Sequence, residues 1–239
     1  MRCLLLIGVC TLLTLSACRK ELVFPPVTTL RIDLQHKVGS SYLTFDSLIH
    51  ANKAGESYSV TKLNYFLSGI CFYKNSQLVF TVDTIAYIDA RTGSYSFRKA
   101  DIPAFTYDSV SYFIGVPPLY NEHGKLTSTY ENVAMEWPDM MGGGYHFLKL
   151  EGHWNDIGSI SGYAIHLGTN ACLVKGGYKI SGHTRQGVEN VIGLSMDINE
   201  WLEVPYTYSF RSDGVYTMGD TILMKRISEN GRDVIKVLQ

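Results

Sequence analysis

The chain has 239 residues and a formal net charge of −1 at pH 7, from 21 Lys and Arg residues against 22 Asp and Glu residues. This balance, with no cluster of basic side chains, argues against nucleic acid binding, which requires a basic surface facing the phosphates. The 16 tyrosines and 22 glycines, with no long apolar run beyond the N-terminus, are typical of a β-rich globular domain.

The N-terminal segment has the features of a bacterial lipoprotein signal. Met1-Arg2 supplies a positive start, residues 4–15 are almost wholly apolar, and Leu15-Ser16-Ala17-Cys18 places small residues directly before a cysteine. The apolar run is shorter than the roughly 20 residues that a membrane-spanning helix needs. We therefore predict a signal peptide over residues 1–17, the alternative being an ordinary signal peptide with an incidental cysteine.

Cleavage before Cys18 would leave its sulfur and its new amino terminus free for lipidation. Residues 18–27 then form a short tether, and residues 28–239 form one folded domain anchored to a membrane by acyl chains. We expect a cell-envelope lipoprotein of the outer membrane, on its periplasmic or cell-surface face. Outside the signal and Cys18, only Cys71 and Cys172 remain. They form either a disulfide or two free thiols, which the sequence does not decide.

Segments with the two-residue period of β-strands recur at regular spacing. In the first, residues 28–36, His36 ends an otherwise apolar face. A C-terminal helix is predicted after Asp220, an N-cap residue, with Asn230-Gly231 as its stop. The pattern predicts an all-β fold, a single antiparallel β-sandwich domain with a short C-terminal helix. The further strand candidates are residues 59–73, 78–89, 107–116, 145–151, 161–168, 177–183 and 191–198.

The most distinctive stretch is MEWPDMMGGGYHFLKLEGHW at residues 135–154. Its three consecutive glycines, Gly142 to Gly144, lose much backbone entropy on folding, so they indicate unusual φ and ψ values or a close backbone approach. The simpler alternative is a hairpin turn that happens to be rich in Met and Gly.

The sequence contains no motif that indicates catalysis. It has no phosphate-binding glycine loop, no Gly-x-Ser-x-Gly elbow, no His-Glu-x-x-His helix and no paired cysteines with zinc-finger spacing. We therefore expect a protein that is not an enzyme.

Three histidines are better candidates for function. His36, His146 and His166 each lie on a predicted strand, which can hold an imidazole rigidly for a metal. Imidazoles without thiolates suit copper or zinc, and intrinsic affinity favours copper. The alternative for each histidine is a hydrogen-bonded structural residue. The other histidines fall near turns or strand ends and are predicted to be surface residues: His50, His123, His153 and His183.

Five segments resemble the MbnP-like proteins, a copper-binding family related to the methanobactin cassette, and especially its lipoprotein members in Bacteroidetes-type bacteria. They are LRIDLQHKVG, VTKLNYFLSGI, MEWPDMMGGGYHFLKLEG, YAIHLGTN and ISENGRDVIKV. The third is long and specific, whereas the others are short.

This resemblance implies an antiparallel β-sandwich that binds copper through histidines at one end. In some members of the family, a MauG-like dihaem enzyme of the cytochrome c peroxidase type oxidises a tryptophan to kynurenine. Carried onto matching positions, the resemblance implies His36 and His166 as copper ligands and His146 as a third. Trp137 matches the modified or site-lining tryptophan. The sequence departs from the oxidised-tryptophan members because Pro138-Asp139 follows Trp137, so no histidine lies two positions beyond it.

Two other functions are compatible with the sequence. One is a binding or adhesion module in which Tyr145, Trp154 and Trp201 line a site for a glycan or a peptide. The other keeps the family fold without the metal, as a structural partner of the haem enzyme.

Overall fold

The structure is a computed structural model that describes residues 27–92 and 96–238. The predicted signal peptide (residues 1–17), the lipidation site Cys18 and the tether as far as residue 26 lie outside the described residues. Within the described part of the chain, no helix is long and apolar enough to cross a membrane.

Strands dominate the structure. In chain order they are β1 (Thr29–Val38), β2 (Ser41–Tyr42), β3 (His50–Ala51), β4 (Ser57–Lys74), β5 (Gln77–Val82), β6 (Ala86–Asp89), β7 (Ser96–Lys99), β8 (Thr106–Ile114), β9 (His146–Asp156), β10 (Ser159–Gly168), β11 (Val174–His183), β12 (Glu189–Asp197) and β13 (Ile235–Val237). The α-helices are α1 (Tyr130–Ala134) and α2 (Thr221–Asn230), and 3-10 turns lie at Asp139–Met141, Asn170–Cys172, Asn199–Leu202 and Gly231–Asp233.

The strands form two sheets. One has the order β13-β12-β1-β2, with β7 also paired to β1, and the other has the order β10-β9-β4-β8-β11, with β3, β5 and β6 also paired to β4. The predicted β-sandwich is confirmed, and its strands are mostly antiparallel. The pair β1–β12 is parallel. No hairpin constrains these two strands, because most of the chain separates them, and such long crossovers permit parallel pairing.

Strand β4 organises the second sheet. It pairs with β9 through its first half and with β8 through its second half. The single strand predicted over residues 78–89 is wrong, because β5 and β6 are separate partners of β4. Ile70 of β4 faces Val82, whereas Leu67 faces Ala86, so three residues of the partner lie opposite two of β4. The break coincides with a β-bulge in β4 between Ser68 and Cys71.

The sandwich core takes most of the aromatic side chains. The three aromatic residues of the glycan or peptide alternative, Tyr145, Trp154 and Trp201, are 1%, 4% and 0% exposed. Aromatic stacking on a sugar requires an open ring face, which these buried rings do not offer. The structure therefore gives them a packing role.

The C-terminal helix agrees closely with the prediction. The Asp220 side chain accepts a hydrogen bond from the backbone N–H of Leu223 at 2.9 Å, and Gly231 is the C-cap. Leu223 and Ile227 are buried. The two candidate cysteines are free thiols: Cys71 is half-buried and Cys172 is buried.

Candidate metal centre

The glycine triplet forms a turn that folds the residues after it back onto the residues before it. Gly142, Gly143 and Gly144 have φ values of 105°, 66° and 88°, so the predicted unusual backbone is confirmed. The backbone N–H of Trp137 donates to the Gly144 carbonyl at 2.9 Å, and the backbone N–H of His146 donates to the Met135 carbonyl at 2.6 Å. The turn therefore brings the Trp137 side chain to the start of β9, where His146 lies.

A β-bulge then brings the second histidine into place. Leu167 of β10 faces Leu148 of β9, but Gly168 faces His146, so the register shifts by one residue. The ring centroids of His146 and His166 are 5.0 Å apart at an interplanar angle of 88°. The ring centroid of Trp137 lies 4.7 Å from that of His146. Three of the predicted site residues therefore form one cluster.

Gly168 makes room for this cluster. A Cβ atom at Gly168 would lie 2.3 Å from Cε3 of Trp137, whereas a Cβ at Gly162 on the same strand would meet only a carbonyl oxygen at 3.9 Å. We expect Gly168→Ala to displace the buried indole and to lower the free energy of unfolding by about 1–3 kcal/mol, as overpacking does. Chemical denaturation monitored by tryptophan fluorescence measures this. Gly162→Ala is the matched control, and an equal loss in both variants would contradict the packing role.

Glu151 and Thr217 hold His166. Nε2 of His166 lies 3.0 Å from Oε1 of Glu151. The Thr217 hydroxyl accepts from the His166 N–H at 2.8 Å and donates to the His166 carbonyl at 2.6 Å. The hydrogen bond from His166 and the nearby Lys62 ammonium lower the pKa of Glu151 to about 2. The carboxylate therefore only accepts, which places the hydrogen on Nε2 and leaves the lone pair of the neutral imidazole on Nδ1.

His146 is held in the complementary way. Its Nδ1 donates to the Met135 carbonyl oxygen at 3.1 Å, so its lone pair is on Nε2. Among the described residues, nothing forms a hydrogen bond with this buried Nε2. Leaving a buried polar atom unsatisfied costs about 1–3 kcal/mol. Burial, with Lys149 and His166 nearby, lowers the pKa of His146 to about 3, so the ring stays neutral as a metal ligand must.

Two imidazole nitrogens of the cluster are candidate metal ligands. Each ring has one nitrogen fixed as a donor to an oxygen, and the other nitrogen, Nε2 of His146 or Nδ1 of His166, has its lone pair available. Within the described residues, no group of three or more His, Cys, Asp or Glu side chains is arranged to hold a metal ion. The two imidazoles are the candidate donors of this cluster.

Comparison with known proteins identifies the family. The family model described as MbnP matches residues 27–219, well over half of the chain. The chain belongs to the MbnP family. Among solved structures, it is similar to MbnP from Methylosinus trichosporium, with 12% sequence identity, a TM-score of 0.48, and coverage of 74% of this chain and 78% of that chain. A search of curated proteins finds no match.

The MbnP match covers four of the five segments on which the resemblance rests, because the tail ISENGRDVIKV lies beyond residue 219. Two of the four meet in the candidate centre: the stretch with Trp137 and His146, and the β10 segment with His166. Although no histidine follows Trp137 two positions later in the sequence, a histidine lies next to it in the structure. Pro138 leads into a 3-10 turn, and His146 brings an imidazole to the tryptophan from β9.

His36, the other ligand that the sequence resemblance implies, lies apart from this cluster. It is on the core-facing side of β1, in the other sheet, and its Nε2 lies 3.0 Å from the Tyr65 hydroxyl. Tyr65 faces Leu148 and Leu167 in register, whereas His166 faces Lys149 and Asn64. Successive residues of a strand point to opposite faces, so Tyr65 and His166 project from opposite sides of the second sheet. The structure therefore brings together two of the three predicted ligands.

The burial of His36 makes it a source of pH-dependent stability. Burial lowers its pKa from 6.5 to about 4. Below pH 6.5 this histidine is protonated in the unfolded chain but stays neutral in the folded chain. The free energy of unfolding therefore falls by roughly 3 kcal/mol as the pH drops from neutral toward 4. We expect His36→Gln to flatten this fall in unfolding free energy. The exposed His183→Gln is the control, and an unchanged pH profile in His36→Gln would contradict the assignment.

One histidine was predicted at the wrong position, and two partners of His166 escaped prediction. His50 was predicted at the surface, but it is buried, because β3 pairs with β4 and its Nε2 lies 2.9 Å from the Thr44 carbonyl oxygen. Glu151 and Thr217 escaped prediction. Glu151 lies beside His166 because of the register of β9 and β10, and Thr217 contacts only the backbone of His166. The alternation of HFLKLEG places Lys149 and Glu151 on one face, but it does not show which strand lies beside them.

Proposed function

We propose that this protein binds copper through Nε2 of His146 and Nδ1 of His166 and serves copper acquisition or handling in the cell envelope. The observation that carries the proposal is the pair of imidazoles, each with its other nitrogen fixed by an oxygen acceptor. Membership of the MbnP family supports copper, since the family is linked to copper handling. Zinc is the alternative metal, and copper is favoured by its intrinsic affinity for imidazole nitrogen. The proposal assigns binding, and no reaction, to this chain.

The remaining parts of the proposal concern place and partner. Acyl chains on Cys18 would hold the domain at the membrane, and Trp137 would be the residue that a MauG-like dihaem enzyme modifies. The 4.7 Å contact between Trp137 and His146 supports this partner, because it joins the candidate tryptophan to a candidate copper ligand. The intact mass of protein purified from its native envelope tests both expectations. Lipidation of Cys18 should add the mass of the acyl chains, and modification of Trp137 should give the mass change of tryptophan-to-kynurenine conversion.

Copper binding is tested by competition titration of the purified full-length protein with Cu(I) and a chromophoric chelator. We expect one tightly bound copper per chain. The double variant His146→Asn/His166→Gln should lose this site and keep its fold, which circular dichroism monitors. Copper binding of the double variant with the affinity of the parent would overturn the proposal.

A further inference from the structure

We propose that Glu151 is a positioning residue for copper, which fixes the orientation and tautomer of His166, and that Lys62 in turn fixes Glu151. This inference rests on the proposed function, since it concerns the same two-histidine site.

Three neighbouring strands supply the three side chains. Lys62 of β4 faces Glu151 of β9, and Glu151 is diagonal to His166 on β10. Nζ of Lys62 donates to both carboxylate oxygens, at 3.1 Å and 3.0 Å, while Oε1 also lies 3.0 Å from Nε2 of His166. All three lie on strands that are paired with one another, which gives this series of contacts a rigid base.

The hydrogen bonds in this series run in a fixed order from donor to acceptor. An ammonium has donors only and a carboxylate has acceptors only, so the lysine sets the carboxylate and the carboxylate demands a hydrogen on Nε2 of His166. Copper can then meet the ring only at Nδ1. Partners of this kind usually hold metal-binding histidines, and their loss typically costs 10- to 100-fold in metal affinity.

Because of this order, Glu151→Gln should change which ring nitrogen of His166 carries the hydrogen. A glutamine amide has one oxygen, and Lys62 would hold it, because Lys62 has no acceptor for the amide N–H groups. The amide nitrogen would then face Nε2 of His166 and donate to it. The ring hydrogen would move to Nδ1, the nitrogen that binds copper. A nearly isosteric change should therefore harm copper binding at least as much as Glu151→Ala.

The test combines two measurements on the full-length protein. Nitrogen-15 NMR of the metal-free protein reports which ring nitrogen of His166 carries hydrogen, and Cu(I) competition titration reports affinity. We expect Nε2–H in the parent, Nδ1–H in Glu151→Gln, and an affinity that is about 10- to 100-fold lower in that variant. Adding Lys62→Met frees the amide to turn its oxygen toward His166, so the double variant should regain the Nε2–H tautomer and most of the affinity.

The outcomes separate this inference from the proposed function. If Glu151→Gln keeps the parental tautomer and affinity while His146→Asn abolishes copper binding, the role of Glu151 is wrong and the copper site stands. If the parent binds no copper, the proposed function fails, and this inference fails with it whatever tautomer NMR reports. Equal unfolding midpoints of parent and variants exclude a folding defect as the cause.

Discussion

Replacing either candidate ligand with the amide that keeps its hydrogen bond is expected to weaken copper binding sharply. In His146→Asn, the amide N–H group takes the place of Nδ1–H and can still donate to the Met135 carbonyl. In His166→Gln, the amide N–H group takes the place of Nε2–H and can still donate to Glu151. Each variant thus removes the ligating nitrogen and leaves its support. We expect a loss larger than the roughly 10- to 100-fold typical of an outer partner, measured by Cu(I) competition titration.

His36→Gln and His183→Gln serve as comparisons in the same titration. His183 is exposed on β11, and His36 lies on the opposite side of the second sheet from His166, so both variants should bind copper like the parent. A loss of affinity in His36→Gln as large as that in His166→Gln would return His36 to the ligand set and contradict the two-histidine site.

Gly152→Ala is expected to produce the largest loss of stability. Gly152 faces Val60 where β9 crosses a register shift in β4. A Cβ atom at this position would lie 1.8 Å from the carbonyl oxygen of Ser59 and 2.8 Å from its carbonyl carbon. The obstacle is backbone at the centre of the sheet, so relief requires strand movement. We expect a loss of about 3 kcal/mol or more, the upper end for overpacking.

Urea denaturation of Gly152→Ala measures this loss, again with Gly162→Ala as the control. Gly162 lies on the neighbouring strand, and a Cβ there would meet only the Gly152 carbonyl oxygen, at 3.9 Å. An unfolding free energy of Gly152→Ala within the error of the parent would contradict the close approach of β9 and β4.

The sequence predicted the sandwich well because its strands follow a clean two-residue period. The alternation of Leu30, Ile32, Leu34 and His36 correctly placed His36 on a buried face, and Asp220 correctly marked the start of α2. Alternation gives the face of a strand but neither its neighbour nor its direction. The parallel pairing of β1 with β12 therefore escaped prediction.

The candidate site was predictable only in part for the same reason. His146, His166 and Trp137 were chosen from their residue types and from the resemblance, but their meeting depends on the bulge at Gly168 and the turn at Gly142 to Gly144. His36 matched the family pattern equally well, yet it projects into the core beside Tyr65. Glu151 carried no sequence signal, since its role follows from a diagonal contact across two strands.

The most direct test of the copper site is nitrogen-15 NMR of the histidine rings during addition of Cu(I) to the full-length protein. Copper at the proposed site should shift the signals of Nε2 of His146 and Nδ1 of His166 together, and leave those of His36 in place. Copper binding that leaves both of these nitrogens unshifted, or that shifts only the His36 ring, would contradict the account.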